Sequence, residues 1–220
     1  TNAFNQMRTR IKSFLKQRTD MLAGVSHDLR TPLTRMKLQL SLMKDSNAKK
    51  ELINDINEMS AMLDSYMSFV RGEAPEPIDK IKLNEFIEDI CGNIKVKDQK
   101  LITNINSYIQ TSVRPLQLKR SIMNIIENSL RYAKEIHIDI SNNDENYFIE
   151  ISDDGTGIPE NNFEDVFKPF FTLDPSRNKL KGESGLGMTI ARDIVRSHGG
   201  DIKLSKSDFG GLKTSINLPL

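Results

Sequence analysis

The chain has 220 residues, with 31 basic and 30 acidic side chains and a formal net charge of +1. That length gives room for one or two domains with a real core, and the charge balance excludes an electrostatic case for nucleic acid or an anionic membrane surface as partner. The single cysteine, Cys91, cannot form an internal disulfide, which favours a reducing, intracellular compartment. No apolar run reaches the roughly 20 residues that cross a bilayer, and no signal peptide is recognisable. With Thr1 rather than Met at the start, we expect a cytosolic fragment of a longer protein.

Residues 1–72 contain two glycines and one proline and read as helix. Leu15, Leu22, Leu29, Met36 and Met43 recur every seven residues, with Val25, Leu33 and Leu40 near the second seam position. The polar stretch KDSNAKK (44–50) interrupts the pattern, which resumes with Ile56, Leu63 and Val70, interleaved with Leu52, Met59 and Tyr66. Two helices of one heptad grammar joined by a short loop make an antiparallel hairpin. A single hairpin buries only part of so long a stripe; a second hairpin closing a four-helix bundle would cover the rest, and pairing with the second half of the same chain is the alternative.

Within the first helix lies VSHDLRTPLTR (25–35). Pro32 costs roughly 3 kcal/mol in a helix interior. With Leu22 and Leu29 holding the core, His27 falls about 140° around the helix from Leu22 and points to solvent. Thr31, four residues on, shares its face. Asp28 is adjacent, and an acid on one ring nitrogen fixes the tautomer and raises the nucleophilicity of the other. Position alone leaves two readings open, a solvated histidine and a nucleophile. Metal binding is disfavoured, because His137 and His198 lie in other elements.

RGEAPEPIDK (71–80) is rich in proline and charge and marks a linker. Beyond it, KIKLN and LITNINS read as strands, and RPLQLKRSIMNIIENSLRYA (114–133) as a helix with Pro115 in its first turn. EIHIDISN and YFIEISDDG alternate as strands joined by a polar turn. GLGMTIARDIVRSHGG reads as a helix between glycines, and DIKLSKS and LKTSINLPL as closing strands. The second half is thus an α/β layered domain.

Three stretches of this half carry chemistry. In NIIENSLRYA, Asn124 and Asn128 share one helix face, opposite Ile122, Ile125, Ile126 and Leu130. Amide oxygens are hard donors that suit Mg²⁺; two solvated asparagines are the plain alternative. DDGTGIP (153–159) follows a strand, and its glycines permit close ligand approach. Asp153 at the strand end can accept a hydrogen bond from an adenine amino group; an ordinary turn is the alternative. An EF-hand is excluded, since the third loop position is Gly155. GESGLGMTIARDIV opens a helix at a glycine-rich turn whose free N–H groups can hold phosphates, and it matches neither the Rossmann nor the P-loop pattern.

LAGVSHDLRTPLTR resembles the H-box of sensor histidine kinases, of the osmosensor-like (EnvZ-like) branch. The ordered series of Asn helix, D-x-G-x-G, FKPFF (167–171) and SGLG (184–187) resembles the N, G1, F and G2 boxes of the GHKL ATP-binding fold. The resemblance covers nearly the whole chain. It implies a multidomain protein: an all-α antiparallel helical hairpin dimerising as a four-helix bundle, followed by an α/β two-layer sandwich of the GHKL (Bergerat) type. The implied boundaries are residues 1–10 for the end of a HAMP-like signalling helix, 11–72 for dimerisation and histidine phosphotransfer, 73–80 for the linker and 81–220 for the catalytic ATP-binding domain. AFNQM resembles the end of the HAMP helix, which implies a cytoplasmic portion of a bacterial inner-membrane protein, anchored through upstream transmembrane and HAMP segments.

By the same resemblance His27 accepts the γ-phosphoryl of ATP, Asp28 assists, and Thr31 helps place a water when the enzyme dephosphorylates its partner. The partner would be the receiver domain of an OmpR-like response regulator. Asn128 would carry Mg²⁺, Asp153 would read adenine, Tyr132 would flank the base, and Asn124 and Arg131 would lie near the phosphates. Gly155, Gly157, Gly185, Leu186 and Gly187 would shape the nucleotide-binding walls. Residues 160–184 would form a lid whose Arg177, Lys179 and Lys181 touch the γ-phosphate. Two positions depart from the family pattern: Glu183 stands where the G2 box begins with glycine, and Ser129 where alanine is common. Gyrase-type ATPases of this fold place a water-activating Glu four residues before the Mg²⁺ asparagine; here that residue is Asn124, which cannot act as a base. The phosphoryl group is therefore expected on a protein acceptor. A phosphatase-biased sensor and a non-catalytic dimerisation and signal-relay module are the alternative readings; intact Asn128, Asp153 and G2 glycines argue against the second.

Overall fold

A computed structural model describes residues 2–44, 46–71, 76–94, 98–105, 108–173 and 185–220. These divide into two compact units, a helical one ending at Arg71 and an α/β one beginning at Glu76.

The helical unit consists of α1 (Asn2–Ser41) and α2 (Asn47–Arg71). α1 runs unbroken through residue 10 and through Pro32. Ser46 accepts the Lys49 N–H at 3.1 Å and caps α2, satisfying a donor that has no partner in the first turn. Lys49 Nζ in turn donates to the Met43 carbonyl at 2.8 Å. The two helices pack together, and Ser26, Leu40, Ile56 and Met67 are buried. Not every seam residue is covered. Leu22 is half-buried, whereas Leu29 is 49% exposed, and Val25, Met36, Met43, Leu52 and Met59 are exposed with it. Leu29 therefore does not hold the core of a single chain. One neighbouring helix covers one side of a heptad stripe, and the other side stays open.

The α/β unit follows the order β1 (Asp79–Lys82), α3 (Leu83–Gly92), β2 (Lys100–Ile105), β3 (Gln110–Val113), α4 (Pro115–Tyr132), β4 (Glu135–Asn142) and β5 (Asn146–Asp153). Two 3-10 turns (Glu160–Asn162 and Asp165–Phe167) precede α5 (Gly187–Ser197), β6 (Asp201–Lys206) and β7 (Leu212–Pro219). The main sheet has the order β2-β4-β5-β7-β6, parallel between β2 and β4 and antiparallel elsewhere. Its register sets Ile151 between Ile138 and Thr214, and Ile149 between Ile140 and Ile216, so one face of three adjacent strands is buried and, Thr214 apart, apolar. That face joins one core with Leu118, Ile122, Ile125 and Ile126 of α4 and Ala191 and Val195 of α5. Helices on one face of a mostly antiparallel sheet make the two-layer sandwich.

Two assignments differ from the sequence reading. The strand expected over KIKLN ends at Lys82, because Leu83, Ile87 and Ile90 recur at spacings of four and three and bury one face of α3. β3, which the sequence reading lacks, pairs antiparallel with β1 in a separate two-stranded ribbon.

Candidate functional site

The histidine face lies in mid-α1. The His27 and Asp28 side chains are 79% and 85% exposed, with His27 Nδ1 3.4 Å from Asp28 Oδ1. Thr31 Oγ1 donates to the His27 carbonyl at 3.3 Å, which brings the threonine onto the same face. Ser26, next to the histidine, is buried. The helix thus turns its packed side away from an imidazole that is open to an incoming group.

The α/β unit gathers the other candidate residues where α4, the end of β5 and the start of α5 meet. Asp153, the last residue of β5, is 4% exposed. Its Oδ1 accepts the Gly155 and Leu212 N–H groups, each at 3.0 Å, and its Oδ2 accepts the Ser129 hydroxyl at 2.8 Å. Every partner is a donor, so the carboxylate acts only as an acceptor. Asp154 points elsewhere. Its Oδ1 accepts the N–H groups of Glu135, at 2.9 Å, and Lys134, at 2.7 Å, and these bonds hold its carboxyl below the usual range. They also fix the segment that follows Tyr132, the last residue of α4.

Glycines bring the backbone close around Asp153. A Cβ on Gly155 would stand 3.0 Å from both Asp153 Oδ1 and the Tyr132 carbonyl oxygen. A Cβ on Gly211 would collide with Asp153 Oδ1 and with the Gly155 nitrogen. Gly211 N–H also donates to the Asp153 carbonyl at 3.1 Å. The sequence reading missed Gly211, although the Gly210-Gly211 pair before β7 was a visible signal. Ser129, which departs from the family pattern, supplies the third donor to this carboxylate.

On the other side of this corner, Asn124 of α4 faces the first residue of α5. A Cβ on Gly187 would lie 3.9 Å from the Asn124 Cγ. Asn124 Nδ2 is buried and has no hydrogen-bond partner among the described residues. A buried donor without a partner is costly, and this one stands beside a helix start, the positive end of the helix dipole, which favours anions. That donor set fits a phosphate. Asn128, one turn further along α4, is half-buried and brings an amide oxygen of the kind that suits Mg²⁺. Arg131 and Tyr132 are exposed at the end of the same helix, and Leu186 is fully buried.

α5 is tied firmly to the segment before it. Phe170 adopts φ 63° and Gly185 φ 62°. The Phe170 N–H donates to the Gly185 carbonyl at 3.0 Å, and a Cβ on Gly185 would stand 2.8 Å from the Phe170 Cα. Thr189 donates to the Phe167 carbonyl at 3.0 Å, and the Arg192 guanidinium lies 4.3 Å from the centre of the Phe167 ring. Arg192 also pairs with Asp201 at 2.9 Å and Glu164 at 2.7 Å, and these bonds, Asp201 first, raise its pKa. Arg177, Lys179, Lys181 and Glu183 lie outside the described residues.

Residues 17–75 match the model of the His Kinase A (phospho-acceptor) domain, and residues 113–220 that of the histidine kinase-, DNA gyrase B-, and HSP90-like ATPase. The sensor histidine kinase GtrS of Pseudomonas aeruginosa is 32% identical over 219 residues, covering 99% of this chain and 45% of that protein. The sensor protein RstB of Escherichia coli is 30% identical over 230 residues, covering 99% and 52%. The chain therefore spans about half the length of the curated relatives it matches. Among solved structures, full-length ShkA in complex with AMPPNP aligns with a TM-score of 0.72 at 16% identity, over 91% of this chain and 45% of that one. The Acinetobacter baumannii histidine kinase AdeS aligns with 0.61 at 20% identity, over 88% and 97%. At these identities the structural likeness speaks for the fold.

Proposed function

We propose that this chain, which belongs to the sensor histidine kinases, uses ATP to phosphorylate His27 and then passes the phosphoryl group to an aspartate of a response regulator. The observation that carries the reading is the exposed His27 imidazole with Asp28 beside Nδ1, within the region matched by the phospho-acceptor model. A buried Asp153 that accepts three hydrogen bonds, and an Asn124 Nδ2 with no partner among the described residues, support it.

In this mechanism Asp153 accepts the adenine amino group. Asn124 and the start of α5 hold phosphate oxygens, Arg131 lies near them, and Tyr132 flanks the base. Gly155, Gly157, Gly185, Leu186 and Gly187 shape the walls, and Lys181 is assigned to the γ-phosphate from the family pattern alone. Asn128 is the residue assigned to Mg²⁺, which when bound neutralises charge on the phosphates. His27 Nε2 attacks the γ-phosphorus in line, the bond to the β-γ bridging oxygen breaks, and ADP leaves. Asp28 accepts the Nδ1–H hydrogen bond and holds the tautomer whose Nε2 lone pair is free. Catalysis is mainly positioning and charge neutralisation.

The open apolar stripe of Val25, Leu29, Met36 and Met43 supports a homodimer closed as a four-helix bundle. We also assign to this chain the EnvZ-like branch, an OmpR-like receiver domain as partner, and phosphatase activity in which Thr31 places a water. Residues 1–10 would continue a HAMP-like helix and 11–72 form the phosphotransfer domain; the linker expected over 73–80 is shorter than that, because Asp79 and Lys80 pair in β1 and Glu76 bonds α4, so these residues go with the catalytic domain expected over 81–220. The whole would be the cytoplasmic part of an inner-membrane receptor, anchored upstream.

The deciding experiment incubates the chain with Mg-ATP labelled at the γ-phosphate, wild type against His27→Ala. Acid-labile, base-stable label on the wild type that is lost in the variant is the expected result. An unlabelled wild type, or label that survives in the variant, overturns the assignment.

A further inference from the structure

Ser129 is 2% exposed and donates its only proton to Asp153 Oδ2 at 2.8 Å. A carboxylate offers about four lone-pair sites. The Gly155 and Leu212 N–H groups take two of them on Oδ1, and Ser129 takes one on Oδ2. The remaining site therefore belongs to Oδ2. A hydroxyl whose proton is committed shows only lone pairs to a further neighbour. Asp153 Oδ2 and Ser129 Oγ thus stand side by side as two acceptors, one of them charged. Such a pair complements a group that brings N–H hydrogens and repels a carbonyl oxygen.

We propose that Ser129 is a specificity-determining residue. Its hydroxyl holds the Asp153 carboxylate in place and adds a second acceptor, so the site selects a purine with a 6-amino group over one with a 6-oxo group or none. This rests on the reading of the α4–β5 corner as the ATP site. Alanine at this position, common in the family pattern, leaves the carboxylate with two fixed bonds on Oδ1 only and removes the second acceptor.

The test compares binding of ATP and of purine riboside triphosphate, which lacks only the 6-amino group, to the full chain and to Ser129→Ala. Calorimetry is run below the melting temperature of both proteins. The wild type prefers ATP. Ser129→Ala weakens ATP by about fivefold, the scale of one lost hydrogen bond between neutral groups, and leaves the analogue within about twofold of its wild-type affinity. Ser129→Cys, nearly isosteric and a weak donor, gives an intermediate preference. Equal weakening of both nucleotides by Ser129→Ala assigns the serine to the fold alone and overturns the inference. So does a variant whose ATP preference matches the wild type. A wild type that binds neither nucleotide overturns the ATP reading itself, a different and separately visible result.

Discussion

The Glu76 carboxylate accepts the Leu116 N–H at 2.6 Å and the Gln117 N–H at 3.0 Å, so an acid from the segment ahead of β1 caps the helix that carries Asn124 and Asn128. α4 needs this. Pro115 brings no N–H, and the residue at the N-cap position, Arg114, makes no side-chain cap. The negative charge also complements the positive end of the helix. Glu76→Ala should cost about 1–2 kcal/mol of stability, read as a lower denaturant midpoint at unchanged slope, and should speed amide exchange in the first turn of α4. Glu76→Gln, which keeps an acceptor, should lose less. An unchanged midpoint in Glu76→Ala would mean the contact is idle.

Gly210 and Gly211 are adjacent, yet they should respond differently to alanine. A Cβ on Gly211 meets Asp153 Oδ1 and the Gly155 nitrogen, whereas one on Gly210 meets nothing within 4 Å. Gly210 does adopt φ +99°, so alanine there carries only backbone strain, on the order of 1 kcal/mol. Gly211→Ala should cost about 1–3 kcal/mol through overpacking and lower ATP affinity by at least tenfold. Gly210→Ala should destabilise mildly and bind ATP as the wild type does. Thermal melts paired with nucleotide titrations of both variants check this, and equal loss of ATP affinity in the two would contradict it.

Asp201 receives Arg192 and Arg196, and its pKa is lowered, first by the Arg192 hydrogen bond. A carboxyl whose folded pKa lies below its unfolded value contributes stability above the unfolded value, near 4. That contribution is lost as pH falls from there through the folded pKa. Asp201→Asn should therefore lower stability by about 1 kcal/mol at neutral pH, a figure reduced for the partial exposure of the pair. The gap between wild type and variant should stay flat from pH 7 to about 5 and narrow below about 4. Denaturant midpoints across that range measure it. A gap that widens on acidification would reverse the sign of the linkage.

Several of these contacts explain why the sequence was legible in some places and silent in others. EIHIDISN and YFIEISDDG read directly as β4 and β5 because alternate residues meet one apolar layer. α4 was equally plain, since Ile122, Ile125 and Ile126 mark its buried face. QTSV was not, because a four-residue strand in a two-stranded ribbon has too few buried positions to set a period. The heptad in α1 announced an apolar stripe around Leu29 without saying which helix covers it, and among the described residues α2 covers it only in part, leaving Leu29 49% exposed. The asparagines and Asp153 lay in local motifs. Ser129 and Gly211 act on Asp153 across 24 and 58 residues, and only folding brings such partners together.

Pro32 supplies the last expectation, because its effect falls on the backbone next to His27, the proposed phospho-acceptor. α1 continues through it, yet proline has no N–H to offer the carbonyl four residues back, which is that of Asp28. The preceding carbonyl, that of His27, accepts the Thr31 hydroxyl. The turn bearing His27, Asp28 and Thr31 is therefore held less tightly by main-chain bonds than its neighbours, and it can bend at small cost. Pro32→Ala restores the missing bond and relieves a helix penalty of about 3 kcal/mol, so the helical unit should become more stable and stiffer. If bending at this turn switches between kinase and phosphatase poses, the stiffened helix should favour one of them and shift the ratio by several-fold. Two rates decide it: label transfer to His27, and dephosphorylation of an aspartyl-phosphorylated receiver domain. A variant with both rates and their ratio at wild-type values would remove any hinge role from Pro32.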